Sequence, residues 1–164
     1  MIPVIEPPDS FLVRAAQGWL ELGCADEAAK ELAHVSRTLA EHPEVLELGW
    51  HIHSKLGQWQ ECVAVAERLS RSCPELPSGW VHLSFALHEL KRTEEARDNL
   101  LRIQPLFSED PLICYNLACY ECQMGRLGMA REWLDRAFEL GGRKRYLAMA
   151  KEDPDLVALR DQLP

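Results

Sequence analysis

Gly57-Gln58-Trp59-Gln60-Glu61-Cys62 has counterparts at one fixed interval on either side of it. Gly23, Lys91 and Gly125 stand where Gly57 stands, and Ala28, Ala96 and Ala130 where Cys62 stands, each step being 34 residues with no insertion. A constant period of this length marks one supersecondary unit repeated along the chain, and two antiparallel helices is the unit that fits it. The quoted stretch is then the elbow between the two helices. Four elbows predict four hairpins, over about residues 9–42, 43–76, 77–110 and 111–142, with a lead-in at 1–8 and a closing segment at 143–164.

Outward from each elbow, apolar residues recur at three-and-four spacing, as on a helix with one buried face. In the first hairpin Leu12, Ala15, Ala16, Trp19 and Leu22 precede Gly23, with Asp9 or Ser10 as cap; Ala28, Leu32, Val35 and Leu39 follow, and that second helix is expected to end near Glu41. His42-Pro43 opens the second hairpin, because proline lacks an amide to donate yet suits a first helical turn. Leu46, Gly49, Trp50, His53 and Leu56 lie before Gly57, and Cys62, Val63, Ala66 and Leu69 after it. Pro77-Ser78-Gly79 and Ser108-Glu109-Asp110-Pro111 punctuate the chain before the third and fourth hairpins. Beyond Gly141-Gly142 the period stops. The remainder reads as a helix over about 143–151 and a second one capped by Asp153 with Pro154 at its first position. Tyr146, Leu147, Leu156 and Leu159 are placed to cover the last hairpin, which would otherwise expose its apolar side.

Composition narrows the class of function. A net charge of −8 and a pI of about 5.2 argue against the basic stripe with which nucleic-acid binders displace counterions from phosphate, so no nucleic-acid partner is expected. The start, MIPVIEPPDS, lacks the charged and apolar regions of a secretion signal, and no run reaches the length of a spanning helix. A cytoplasmic protein with no membrane partner and six reduced cysteines is the expectation.

Residues around the elbows resemble the tetratricopeptide repeat, which places a large residue, Leu, a small residue and an aromatic in its first helix, then Gly, small, aromatic, small and Pro. The second repeat supplies Leu46, Trp50, Gly57, Trp59, Cys62, Leu69 and Pro74; the third Trp80, Leu83, Ser84 and Ala96; the fourth Leu117, Ala118, Gly125, Leu127, Ala130 and Ala137. Lys91 departs from the turn glycine, and Ala40 stands where the first repeat should close with proline. The resemblance implies an all-α right-handed superhelix, an α-solenoid, whose first helices line a concave groove.

It also implies a role: a non-catalytic scaffold, adaptor or chaperone-like, that binds a peptide or helical segment. The groove positions it assigns are Val13, Gln17 and Glu21 in the first repeat, Glu44, Glu47, His51 and Lys55 in the second, Val81, Phe85, His88 and Glu89 in the third, and Tyr115, Cys119 and Gln123 in the fourth. Members that clamp an acidic carboxy-terminus place Lys, Arg and Asn there. The acids at these positions would repel such a ligand, so the expected partner is an apolar segment with Lys or Arg flanks, its side chains received by Val81, Phe85 and Tyr115. A structural module that self-associates through terminal helices or its convex face, forming homo-oligomers, is the alternative.

Chemistry at single residues is expected to be absent. Cys114, Cys119, Cys122 and His88 could supply zinc ligands, but Cys114 and Cys119 are about 140 degrees apart around a helix, so the thiols read as packing groups. Scattered histidines without a nucleophile in spacing, and no phosphate loop, leave no catalytic constellation, cofactor or metal in the reading.

Overall fold

The computed structural model describes residues 4 to 163; residues 1 to 3, the first part of the expected lead-in, and Pro164, the last of the closing segment, lie outside them. Every regular element among the described residues is helical. The 34-residue register holds residue for residue in the first helices and in where their partners begin. First helices are α1 (Asp9–Glu21), α3 (Pro43–Lys55), α5 (Pro77–Glu89) and α7 (Pro111–Gln123), each of 13 residues. Their partners are α2 (Ala25–Leu32), α4 (Trp59–Ser72), α6 (Thr93–Ile103) and α8 (Leu127–Gly141). Then come α9 (Arg143–Glu152) and a 3-10 helix over Pro154–Gln162, capped by the Asp153 carboxylate on the Asp155 amide.

The elbows share one cause. At Gly57 the backbone enters the left-handed region (φ 68°), which lets Gly57 N–H reach the Ser54 carbonyl and Gln58 N–H the His53 carbonyl, closing the last turn of α3. The same two bonds recur at Gly23, Lys91 and Gly125, and 28, 62, 96 and 130 are all fully buried. Lys91 adopts φ 64° despite its side chain. A left-handed non-glycine residue costs about 1–2 kcal/mol, partly offset by the entropy glycine loses on folding. Lys91→Gly is therefore expected to stabilise the chain by about 0.5–1 kcal/mol, seen as a higher urea midpoint at unchanged slope.

The chain divides into two compact units, residues 1–86 and 87–164. In the first unit α1 and α2 pack on α3, and the core gathers Val13, Ala16, Ala28, Val45, Leu48 and Ile52. Here three expectations change. Asp9 does not cap α1 but accepts the Ser36 amide at 2.8 Å, and α2 stops at Leu32 rather than near Glu41. His34 Nδ1 sits 2.8 Å from the Lys30 carbonyl, and Arg37–Leu39 turns as a short 3-10 segment. Side-chain bonds to the backbone compete with helix in a stretch rich in β-branched and hydroxyl residues. Third, Leu22 is 74% exposed and Trp19 39%, so the buried stripe of α1 keeps Ala16, as expected, and adds Val13.

In the second unit α7 and α8 pack closely as a hairpin, with Leu117, Leu134 and Ala137 fully buried. Tyr146, Leu156 and Leu159 are buried and Leu147 half-buried, as expected for the residues that cover the last hairpin.

Candidate functional site

In the first unit, α1 and α3 place six of the groove residues expected from sequence around one recess. Val13, Gln17, Glu21, Glu44, Glu47 and His51, with Leu20 and Leu48, line a cavity of about 330 Å³. The spacing explains it: 13, 17 and 21 on α1, and 44, 47, 48 and 51 on α3, fall on facing stripes of two neighbouring helices. Val13 and Leu48 form a buried apolar floor. Glu21 and Glu44 are exposed at the rim, where Gln17 donates to Glu21 at 3.2 Å. Lys55 is exposed one turn farther along α3 and does not line the cavity.

One wall continues into an aromatic and ionic cluster that sequence reasoning left scattered. His82 stacks on Trp50 with ring centroids 3.9 Å apart and planes 11° from parallel, and its Nε2 lies 2.7 Å from Glu47 Oε1. His51, one helical turn beyond Glu47, brings Nε2 to 4.0 Å from the same oxygen. Phe85, expected as a groove residue, is 38% exposed and rests edge-on against Trp50 and beside Trp59, whereas Val81 is buried. Burial pushes the Glu47 carboxyl upward, but the hydrogen bond and charge of His82 outweigh it and leave the group below its ordinary value. Burial, then the charge of His82, holds His51 below the usual imidazole range. A sequence signal for this cluster exists: Glu47 and His51 are four apart on α3, and His82 stands three positions before the equivalent of His51 in the next repeat.

The remaining predicted positions lie in the second unit, where His88, Tyr115 and Cys119 are buried, Glu89 is half-buried and Gln123 is exposed. Tyr115 donates its hydroxyl to Asp153 Oδ2 at 2.7 Å, and Cys119 Sγ lies 3.7 Å from the same oxygen. His88 is buried between Thr93 Oγ1 at 2.9 Å and Asp155 Oδ2 at 3.0 Å, and Gln123 donates to the Asp155 carbonyl at 2.9 Å. Tyr115 therefore does not present an open apolar surface, in contrast to the sequence expectation that it receives a ligand side chain. The segment from Asp153 to Gln162 occupies that face of α7. Burial, followed by the charges of Asp153 and Asp155, raises the Cys119 thiol well above its ordinary value, so it stays protonated at neutral pH and is a weak nucleophile. Cys114 and Cys122 are likewise buried, and burial pushes Cys62 up to about 11.

Several solved structures of MamA are similar to this chain. MamA from Desulfovibrio magneticus RS-1, from its residue 41 to the end, superposes with a TM-score of 0.72 at 18% identity, covering 96% of this chain and 92% of that one. The fold of this chain is similar to that of MamA. A MamA RS-1 ArsTM double mutant gives 0.73 at 15% identity over 85% of this chain and 79% of that one. MamA MSR-1 C2 gives 0.68 at 19% over 83% and 78%. No protein-family model matches the sequence, and no curated protein matches it. The likeness to MamA at such low identity therefore establishes the tetratricopeptide-like helical fold and leaves the partner to be argued from this chain's own residues. Among the described residues no helix is long and apolar enough to cross a membrane.

Proposed function

We propose that the protein is a non-catalytic interaction module that takes an apolar polypeptide segment with Lys or Arg flanks into the recess between α1 and α3. The observation that carries this reading is the pairing, in one 330 Å³ cavity, of an apolar floor with a rim of three glutamates. A side chain buried on Val13, Leu20 and Leu48 contributes on the order of 1.5–3 kcal/mol before the cost of ordering the segment. The acids select the sign of the flank. They raise the rate of encounter more than the lifetime of the complex, and salt screens them beyond about 10 Å at 0.1 M. The partner's side chains meet the first unit; in the second unit the positions that the repeat would use are engaged by Asp153 and Asp155. An adaptor or chaperone-like role would follow from holding such a segment.

Peptide display against the immobilised full chain is the test. Selected peptides should carry one or two large aliphatic residues flanked by Lys or Arg. Charge reversal at the exposed rim, Glu21→Lys with Glu44→Lys, should slow association with such a peptide about tenfold or more at low salt, while helical content stays unchanged. Selection of acidic peptides, or equal association by the reversed variant, would remove this reading.

Self-association is a second reading with its own observation. Phe11, Trp19 and Leu22 are exposed, Leu22 at 74%, and fall within about 80 degrees of one another around α1. Such a stripe on a terminal helix suits contact with another helix.

A further inference from the structure

His82 and Glu47 would suffice for an ion pair between α5 and α3, yet the structure brings a third donor to the same point. The ligand atoms of Glu47, His51 and His82 all lie within 4.8 Å of one another, the only such group among the described residues. We propose that these three side chains form a binding site for a divalent transition cation, Zn²⁺ being the best match, on the wall of the first-unit recess.

Two imidazoles and one carboxylate are a donor set that suits zinc and its neighbours, and a single oxygen donor is too few for Ca²⁺ or Mg²⁺. The spacing is close to what a cation requires. Zinc–ligand bonds of about 2.0–2.1 Å put tetrahedral ligands roughly 3.3 Å apart. Glu47 Oε1 and His82 Nε2, at 2.7 Å, are inside that separation, and His51 Nε2, at 4.0 Å from the carboxylate, is outside it. Opening the first pair by about 0.6 Å and drawing His51 inward by about 0.7 Å brings both separations to that value.

The supports for those ligands are already built. Glu47 and His51 occupy one face of α3 at i and i+4. Stacking on Trp50 fixes the plane of His82, the kind of outer contact that orients a ligand toward its metal. His51 is 47% exposed and Glu47 36%, so a hydrated ion can enter, and Glu47 and His51 also line the cavity, which leaves an open coordination position facing it. No thiol belongs to the set, and Cys119 Sγ faces Asp153 Oδ2 at 3.7 Å.

The full chain, stripped with a chelator, should bind one equivalent of Zn²⁺ by calorimetry. Co²⁺, used as a spectroscopic probe, should show ligand-field bands without a thiolate charge-transfer band. Changes to outer-shell partners cost about 10–100-fold in metal affinity, so loss of a ligand itself, His51→Asn, should weaken Zn²⁺ about 100-fold or more. His51 is exposed, so His51→Asn should keep the parent's helical content, and His82→Gln should match its loss of affinity. Absence of Zn²⁺ binding by the parent, a thiolate band with Co²⁺, or undiminished affinity in folded His51→Asn each overturns the site. Because the metal alone is the probe, this result is independent of whether the recess takes a peptide.

Discussion

Gly79→Ala is expected to destabilise the chain by about 3 kcal/mol, read as a fall in the urea midpoint. A Cβ at this position would lie 2.6 Å from the Ser70 amide nitrogen, 2.9 Å from Ser70 Cα and 3.1 Å from the Leu69 carbonyl carbon. All three are backbone atoms of α4, so no rotamer change relieves the clash and the two helices must separate. Overpacking costs about 1–3 kcal/mol where side chains can yield, and the upper end is the expectation where they cannot. Gly18→Ala is the control, since a Cβ there meets nothing within 4 Å. A Gly79→Ala midpoint equal to that of Gly18→Ala would mean that α4 and α5 are less closely apposed than described.

The second large effect belongs to the second unit. Glu121 is fully buried near the end of α7, where the helix terminus already disfavours negative charge, and it is held by Arg97 at 2.7 Å and Arg126 at 3.5 Å. The hydrogen bond that Arg97 donates to Glu121, then the one it donates to Asp98, raises the guanidinium above its ordinary value. Removing one partner of a buried pair typically costs about 3–5 kcal/mol, because the remaining charge keeps its desolvation penalty. Arg126 still compensates part of the charge, so Arg97→Met should cost about 3 kcal/mol. Adding Glu121→Leu should restore most of that loss, since an apolar side chain of similar volume leaves no orphaned carboxylate. A double variant less stable than Arg97→Met would show that the network contributes more than charge compensation.

The period of 34 was legible because it depends on local rules that every repeat obeys: proline at the first helical position in three of four hairpins, a left-handed elbow, a small residue five positions later. Lys91 shows how strongly those rules act together, since it takes the glycine conformation without being glycine. Positions on a helix face followed from the same register, which is why six residues predicted for the groove meet in one recess. Contacts set by tertiary pairing were not legible. Gly79 reads as turn punctuation from its neighbours Pro77 and Ser78, and only the approach of α4 reveals it as a packing residue. Glu121 has Trp19, His53 and Leu87 at equivalent positions, so periodicity gave no reason to expect a buried charge there. The end of α2 was decided by Asp9, 27 residues away from the amide it binds. In the same way, the carboxylates of Asp153 and Asp155 engage Tyr115 and His88 across long separations that no repeat encodes.

The most direct measurement is to follow the amide NMR spectrum of the full chain while adding a short peptide of leucines flanked by lysines. The proposed role predicts perturbations concentrated at Gln17, Glu21, Glu44, Glu47, Leu48 and His51, saturating with peptide and independent of protein concentration. Perturbations confined to α8 and α9, or changes at Phe11, Trp19 and Leu22 that track protein concentration and ignore the peptide, would contradict it.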